Sequence, residues 1–404
     1  MLKSISRNNR VFMLGNFIFA LSYGLWMNLR QLHLLDLGAT PVEIGSVFAL
    51  VAIAGGLLPL PAGMLTDRIG PKRVIQAAWL IAAAGALTAA LARTWPVAGS
   101  GYIIFMLCIA ANPATVSYVL LNTVDEAGEP SAEAVMATVF ASWPAAMIFA
   151  PALGGWVAAW LNIQADLWLG AGGLLLAVGV LSLAGDVRSA SVTGNPHPRM
   201  LAQNRQFLGL AIFFSVTLPA LYLGYALAPT YLKDARGFSA GYIGLLYSLS
   251  ALGTLLFRSV VIKFPARQSF AILLALAGLG TVGLWQVPGP VGTAIAFVML
   301  GAISTTWVVM QASIGRAVAE NVRGLALGVT ESLYYGGIAL ASWLAGQLYA
   351  MTPTRDLPLI VGAAAVLAVL VLWVTLPPFG SLRTPTASTT ASPAIAHSGR
   401  RRDI

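Results

Sequence analysis

The side chains that usually perform catalysis or hold metal ions are few and scattered in this chain of 404 residues. Its three histidines, His33, His197 and His397, are far apart, and the single cysteine, Cys108, lies in an apolar run without a partner. The sequence contains no glycine-rich phosphate loop and no Ser/His/Asp arrangement. We therefore predict no enzymatic activity, no cofactor and no metal site.

Polar and aromatic residues recur at helical spacing in four of the apolar stretches. The predicted binding residues are Asn16, Tyr23, Trp26 and Arg30 in the first stretch, Asn112, Thr115 and Tyr118 in the fourth, Tyr222 and Tyr225 in the seventh, and Trp307 and Gln311 in the tenth. Because a polar side chain in a membrane costs free energy unless it faces protein or water, these stripes indicate a path through the helices. For a single Tyr or Trp, a hydrogen bond between helices explains the position as well, and Arg30 could instead reach the membrane surface.

Glu331 is the acidic residue that we expect deepest in the membrane. It lies eight residues beyond Arg323, at the start of the eleventh apolar stretch, which is about 12 Å along a helix. A carboxyl group that gains and loses a proton there could couple proton flow to transport. A structural ion pair with Arg258 is the alternative explanation.

A charged hairpin, GMLTDRIGPKR at 63–73, separates the second and third apolar stretches. Gly70 and Pro71 favour a tight turn, and the basic residues suit lipid phosphates. The order and spacing closely resemble the loop between helices 2 and 3 of major facilitator superfamily transporters, with Pro71 as the one departure. The resemblance implies a gate formed by Gly63, Asp67, Arg68, Gly70, Lys72 and Arg73, in which the Asp67 carboxylate contacts the second half near the start of helix 11. A local role for Asp67 in stabilising the turn remains the alternative.

A second resemblance involves the segment APALGG at 150–155. It is similar to the end of the antiporter motif of drug-exporting members of that superfamily, although Ala141 and Ala150 stand where the motif has glycine. Pro151, Gly154 and Gly155 are retained, which implies a drug/proton antiporter. Close helix packing without any role in export is an equally good interpretation.

The composition places the chain in a membrane without reference to any family. Hydrophobic residues make up 58% of it, charged residues only 9%, and the mean hydropathy is +0.81. A span takes roughly 20 apolar residues. The predicted spans are 11–33, 43–65, 74–93, 98–121, 134–159, 165–185, 206–232, 241–263, 269–287, 291–314, 325–350 and 357–376. The resemblance implies an all-α fold in which these twelve helices form two pseudo-symmetric six-helix bundles and helices 1, 4, 7 and 10 line the cavity.

The distribution of basic residues predicts the orientation. With the N-terminus inside the cell, only Arg30, Arg93, Lys233, Arg236 and Arg355 of the 23 Lys and Arg fall outside. The positive-inside rule is then satisfied, with both termini in the cytoplasm of a cell that carries the protein in its inner or plasma membrane. The net charge of +9 reflects this topology and contact with anionic lipids, so we expect no nucleic-acid partner.

An internal repeat supports two related halves. The segment GATPVEIG at 38–45 recurs as GFSAGYIG at 237–244, an offset of 199 residues, which is about half the chain. We predict an N-terminal half at 1–185, a cytoplasmic linker at 186–205, a C-terminal half at 206–376 and a disordered cytoplasmic tail at 377–404.

The sequence thus predicts a monomeric secondary transporter that moves a small neutral or amphipathic molecule by alternating access, with proton-coupled efflux as the leading mode. Its partners would be the small-molecule substrate, protons and membrane lipids. Import of a sugar or related nutrient is the first alternative. A membrane receptor or scaffold that has lost transport is the second.

Overall fold

Twelve long helices make up nearly all of the chain that the computed structural model describes, which is residues 5–123, 131–186, 198–261 and 263–375. They are α1 (Arg7–Asp36), α2 (Pro41–Leu57, continued by Pro59–Ile69), α3 (Pro71–Leu91), α4 (Trp95–Leu121), α5 (Ala134–Trp160), α6 (Ile163–Ser182), α7 (Arg205–Asp234), α8 (Ala240–Val261), α9 (Ala266–Gln286), α10 (Pro290–Ala317), α11 (Glu320–Met351) and α12 (Leu357–Thr375). All twelve predicted spans are present, with ends that differ by a few residues. A short helix, Pro198–Gln203, lies in the predicted linker.

Ten of these helices are long and apolar enough to cross a membrane by themselves. The other two are α2, which is divided at Leu58 before Pro59, and α11, where Glu331 and a tyrosine pair lower the hydropathy. These two helices pack against each other across the two halves of the molecule. The predicted tail at 377–404 and most of the predicted linker lie outside the described residues.

Local capping explains why the repeated segment starts a helix in each half. In the first copy, Gly38 has φ +86°, and Thr40 caps α2 in a reciprocal arrangement with Glu43. The Thr40 N–H donates to Oε2 of Glu43 at 2.7 Å, and the Glu43 N–H donates to Oγ1 of Thr40 at 3.3 Å. In the second copy, Gly237 has φ +69° and precedes α8. Each copy therefore uses glycine at the same point to turn the chain into the next helix.

The helices pack as two bundles, α1–α6 and α7–α12. The contacts between the bundles are carried mainly by two helix pairs, α2 with α11 and α5 with α8. These pairs are related by the internal repeat, because α2 corresponds to α8 and α5 to α11.

The two ends of the bundle are distinguished by their residues. At one end, Nδ2 of Asn8 donates to Oδ1 of Asn122 at 2.7 Å, and the N–H of Gly185 donates to Oδ1 of Asn8 at 2.8 Å. We term this end the N-terminal face. The other end carries the turn at Gly38 and its counterpart at Gly237, and we term it the opposite face.

Candidate transport cavity

A cavity of about 340 Å³ lies between the two bundles at the centre of the molecule. Its walls come from α1, α2 and α4 of the first half and from α7, α8, α10 and α11 of the second. Tyrosine is its commonest lining residue, represented by Tyr23, Tyr222, Tyr225, Tyr247, Tyr334 and Tyr335. We term this space the upper cavity. A ring with a hydroxyl group can contact both the apolar and the polar part of one ligand, so the upper cavity suits an amphipathic molecule.

A second cavity of about 370 Å³ adjoins the first and is enclosed mainly by the N-terminal half. The two cavities share Tyr23, Met106 and Tyr335, so the lower cavity continues from the upper one. Its aromatic wall consists of Phe19, Trp79, Phe105, Phe140 and Trp143. Its polar residues are Asn16, Asn112 and Thr115, and Cys108 also lines it.

Breaks in the helices create part of this space. Helix α1 is interrupted between Trp26 and Arg30, and α7 is interrupted at the corresponding place, between Leu223 and Ala228. An interrupted helix leaves backbone carbonyl groups that need other donors. Side chains of α1 provide them, since Nε of Arg30 donates to the carbonyl of Met27 at 2.7 Å and Nε2 of Gln31 donates to that of Ala226. Helix α4 has a 3-10 turn, Leu107–Ala110, where it lines the lower cavity.

Arg30 lies in the wall of the upper cavity and is surrounded by aromatic rings. Its guanidinium carbon is 4.9 Å from the ring centroid of Phe48 and 5.9 Å from those of Tyr23 and Tyr102. These distances are typical of cation–π contacts. The guanidinium therefore faces the cavity, and the membrane-surface position considered for Arg30 is not the one it takes.

A tyrosine pair links α7 to α11 within the second half. The hydroxyl groups of Tyr222 and Tyr334 are hydrogen-bonded at 2.7 Å, and the ring of Tyr225 lies 6.4 Å from that of Tyr222. Trp307 packs on the far side of Tyr334, with ring centroids 4.2 Å apart. Trp307 thus supports a cavity residue, and neither it nor Gln311 is among the residues that line the two cavities described above.

Trp26 and Tyr118 also lie outside the cavity walls, although both belong to predicted stripes. The ring of Trp26 is fully buried between the rings of Tyr102 and Phe105. Tyr118 is fully buried as well, and its hydroxyl donates to the carbonyl of Gly185 at the N-terminal face. Both residues pack the N-terminal bundle, because a helix face that points inward also contacts its neighbours in the same half.

Glu331 connects the two halves through Asn112 of α4. Nδ2 of Asn112 donates to Oε1 of Glu331 at 3.4 Å, and one residue further on, Oγ of Ser332 donates to the carbonyl of Gly56 in α2 at 2.9 Å. Within the described ranges, the ion pairs are formed by other residues, and the side chain of Arg258 is exposed. The ion pair between Glu331 and Arg258 considered above is therefore absent from this part of the chain.

Glycine contacts bring the two halves together toward the opposite face. A methyl group added at Gly45 would lie 2.5 Å from the carbonyl oxygen of Ser342 and 2.9 Å from Cα of Gly346, both in α11. A methyl group at Gly155 would lie 2.6 Å from the carbonyl oxygen of Ala240, and one at Gly244 would overlap α5. Only residues without a side chain allow these backbones to come so close.

Side chains reinforce the same closure. Oε1 of Gln31 accepts a hydrogen bond from Oγ1 of Thr230 at 3.0 Å, which links α1 to α7. Lys233 of α7 forms an ion pair with Asp36 of α1 at 3.6 Å. We term this set, Gln31, Asp36, Thr230 and Lys233, the α1–α7 latch.

The halves are less closely packed toward the N-terminal face. Asn112 is exposed, and a methyl group added at Gly324 or Gly336 of α11 would have open space around it. The cavities are therefore more tightly sealed from the opposite face than from the N-terminal face.

The charged hairpin forms the turn that the sequence predicts. The continuation of α2 ends at Gly70, which has φ +89°, and α3 begins at Pro71. Arg68 and Arg73 are exposed, as contact with lipid or solvent requires. The surroundings of Gly63 and the side chain of Asp67 lie outside what the structure describes, so the implied gate stays a prediction.

Lys72 has a different role from the lipid contact predicted for it. Its Nζ donates to the carbonyl groups of Ser182 and Ala184 at the end of α6 and lies 3.6 Å from Oδ1 of Asp186. A positive charge stabilises the carbonyl end of a helix, so Lys72 fastens α3 to α6 within the first half.

The antiporter-like segment lies where α5 meets both α1 and α8. A methyl group at Gly154 would overlap the backbone at Leu25 in α1, while Gly155 faces α8. Pro151 lies within the helix, and the next N–H, that of Ala152, donates to Oγ of Ser248 in α8 at 3.0 Å. This geometry explains the small residues by packing.

Several cavity residues have no counterpart in the predicted stripes. Gln31, Phe48 and Tyr335 line the upper cavity, but Gln31 follows a helix break and the other two belong to α2 and α11. The Tyr334-Tyr335 pair next to Glu331 was a visible signal in an otherwise apolar stretch. Asp166 is a further buried group, with both carboxyl oxygens unpartnered among the described residues.

Comparison with known proteins agrees with this architecture. The family model of the Major Facilitator Superfamily matches residues 12–264. The inner membrane transport protein YajR of Escherichia coli (strain K12) is 25% identical over 340 residues, which cover 78% of this chain and 71% of YajR.

Solved transporters share the fold at low sequence identity. A mutant of the nucleoside transporter NupG superimposes with a TM-score of 0.75 at 16% identity, covering 91% of this chain and 99% of NupG. The peptide transporter POT in complex with sulfate gives a TM-score of 0.73 at 15% identity, covering 93% and 95%. With a family model that matches more than half of its length and a fold of two six-helix bundles, this chain belongs to the Major Facilitator Superfamily and is a membrane transporter of that type.

Proposed function

We propose that this protein is a secondary active transporter that expels a small neutral or amphipathic molecule by alternating access, in exchange for protons. The observation that carries the proposal is the pair of adjoining cavities between the halves, sealed more tightly at one face than at the other. Cavities of this size hold small molecules. A site at the interface of two bundles is one that rocking of the bundles can expose to each side in turn.

The orientation follows from charge. We place the N-terminal face in the cytoplasm because the basic residues cluster there, as the positive-inside rule requires. The name of the Escherichia coli relative, an inner membrane transport protein, supports an inner or plasma membrane. The described state then has its cavity closed toward the outside.

Glu331 is the proposed coupling residue. It is half-buried, lies outside the described ion pairs and bonds to Asn112 of the other half. Gain or loss of a proton on this carboxyl changes the charge at a contact between the halves, so it can bias their movement. The Asp67 gate belongs to the same scheme, since its release would accompany opening on the cytoplasmic side.

Import of a sugar or related nutrient is the second candidate. It is favoured by the hydroxyl and amide groups of the upper cavity, such as Asn28, Ser304 and the tyrosines, which could bond a hydroxylated solute. The structural similarity to a nucleoside transporter is compatible with it, although that similarity concerns the fold alone.

Flux measurements in proteoliposomes test the proposal. We would impose a pH gradient and follow a panel of hydrophobic dyes and a panel of sugars, expecting proton-driven movement of at least one dye. Sugar flux without dye flux would select the importer. The absence of flux for every solute, together with binding of a protein partner, would favour the receptor or scaffold.

Two variants test the proposed gate at Asp67 and the proposed coupling role of Glu331. Asp67→Asn should lower the flux while membrane insertion is unchanged, and wild-type flux in this variant would refute the gate. Glu331→Gln should make the remaining flux independent of the pH gradient. Arg258→Gln is its matched control, because that side chain is exposed and outside the cavities.

A further inference from the structure

The upper cavity contains a positive charge without a described counter-charge. Among the residues that the structure describes, the walls of both cavities contain no Asp or Glu, while Arg30 lies in the wall of the upper one. The ion pairs in the described ranges join Lys72 with Asp186, Lys233 with Asp36, and Arg355 with Asp234. Arg30 belongs to none of them.

Within the described ranges, most of the hydrogen-bonding capacity of Arg30 also has no protein partner. A guanidinium group has five N–H donors, and the hydrogen bond described for this one is from Nε to the carbonyl of Met27. The rings of Phe48, Tyr23 and Tyr102 stabilise its charge but accept no strong hydrogen bond. The planar terminal nitrogens are the group that binds a carboxylate through two parallel bonds.

The surroundings of Arg30 strengthen its attraction to an anion compared with the same pair in water. A charge at membrane depth is costly unless a partner or water compensates for it. An anionic ligand that enters the cavity would compensate the charge of Arg30 in a medium of low dielectric constant, where the attraction is several times stronger than in bulk solvent. A neutral ligand would leave the three rings and the Met27 carbonyl as the described partners of that charge.

The adjoining cavity defines the rest of the ligand. Tyr23 stands beside Arg30 and lines both cavities, so a ligand bound to Arg30 can extend past Tyr23 into the lower one. There it meets the rings of Phe19, Phe105 and Trp143. Those rings favour an apolar, preferably aromatic, body.

From these observations we propose that the substrate is a small amphipathic carboxylate, with its carboxylate at Arg30 and its apolar body in the lower cavity. Arg30 is then the residue that determines specificity. The inference rests on the proposed transport role of the cavities and narrows the substrate from neutral or amphipathic molecules to organic anions.

Matched acid and amide probes test the inference on the full chain in lipid nanodiscs. The probes are 1-naphthoate and 1-naphthamide, which have the same aromatic body and differ in charge. Cys108 is the only cysteine and lines the lower cavity, so a bound ligand should slow its reaction with a maleimide. We expect naphthoate to protect Cys108 at a concentration at least about tenfold below that needed for naphthamide, as the loss of one charge-assisted contact implies. The shift of the thermal midpoint by each probe is the second readout.

Variants assign the preference to Arg30. Arg30→Gln should abolish the acid preference, and Arg30→Lys should keep part of it, because an ammonium retains the charge without the planar fork. Arg93→Gln, which removes an exposed charge at the opposite face, should leave the preference unchanged.

Three results would overturn the inference: equal protection by acid and amide in the wild-type protein, protection by neither, or an acid preference that persists in Arg30→Gln. The first comparison needs no variant, so it decides the matter even if Arg30→Gln fails to fold. If the proteoliposomes show flux of neutral dyes while naphthoate has no advantage, the substrate class is wrong and the transport function stands.

Discussion

Replacing Gly45 by alanine should shift the protein away from the state that is closed at the opposite face. The added methyl group would lie 2.5 Å from the carbonyl oxygen of Ser342 and 2.9 Å from Cα of Gly346. Ordinary contact distances for such atoms are about 3.5–4.0 Å, so α2 and α11 must separate by roughly 1 Å. Both contacted atoms belong to the other half, and the clash therefore opposes closure without disturbing either bundle.

The size of the effect follows from the cost of overpacking, which is about 1–3 kcal/mol. If the described state is favoured tenfold in the wild-type protein, its occupancy is about 90%. A penalty of about 1 kcal/mol lowers this occupancy to about 65%, and one of about 3 kcal/mol lowers it to about 6%. The variant should thus spend more time open toward the opposite face.

Accessibility of Cys108 measures this occupancy. The residue lines the lower cavity, and no other cysteine is present to react. A membrane-impermeant maleimide added to inside-out vesicles should label Cys108 in Gly45→Ala between about 1.4-fold and 15-fold more slowly than in the wild type.

Gly101→Ala is the matched control, because its methyl group would lie 2.6 Å from the amide nitrogen of Ala89, a similar clash within one half. Gly101→Ala should lower the thermal midpoint but should not slow the labelling of Cys108. Equal labelling rates in Gly45→Ala and the wild type, with both proteins folded, would refute the view that this glycine contact closes the opposite face.

Three further predictions concern the latch, a buried acid and the hairpin. Gln31→Ala removes hydrogen bonds between the halves and should slow the labelling of Cys108, as Gly45→Ala does. Gln76→Ala is the control, because it loses a hydrogen bond to Ser182 within one half and should not slow the labelling. Equal labelling rates in the two variants would show that Gln31 does not contribute to the latch. Asp166→Asn should raise the thermal midpoint in detergent at high pH, where the wild-type carboxyl group must ionise in a fully buried site without a described partner, and should change it little at low pH. A lower midpoint at high pH would reveal a partner that stabilises the carboxylate. Gly70→Ala should cost about 1–3 kcal/mol of stability, because φ +89° with ψ 147° is a backbone region used almost only by glycine. Gly172→Ala is the control and should be neutral or stabilising, because Gly172 lies on a helix with open space around it. An unchanged thermal midpoint for Gly70→Ala would contradict this prediction.

The stripe in the first span shows where helical periodicity stops being informative. Residues spaced by three, four and seven share a face, yet such a face is wide enough to contact several neighbours. Tyr23 and Arg30 reach the cavity, whereas Trp26 packs against Tyr102 inside the same half. Which neighbour each residue meets depends on how the helices pack, and spacing along one helix does not contain that information.

The charged hairpin also combines a feature set by local sequence with one set by helix packing. A glycine followed by proline between two apolar stretches specifies the turn through backbone sterics alone, and the structure has that turn at Gly70. The partner of Lys72 is more than 100 residues away, at the end of α6, so its ion pair with Asp186 depends on the approach of two distant segments.

Local features of the sequence were sufficient to predict that this chain spans a membrane, how many spanning helices it has and that they form two halves. These properties follow from local quantities, namely the length of apolar runs, the residues that end them and a repeat that turns the chain at Gly38 and again at Gly237. Helix packing sets where α1 and α7 break, which glycines close the opposite face and that Arg30 lines a cavity whose described wall residues include no acid. Each of these depends on contacts between helices far apart in the chain, where side-chain volume and unsatisfied backbone groups, rather than hydrophobicity, select the arrangement.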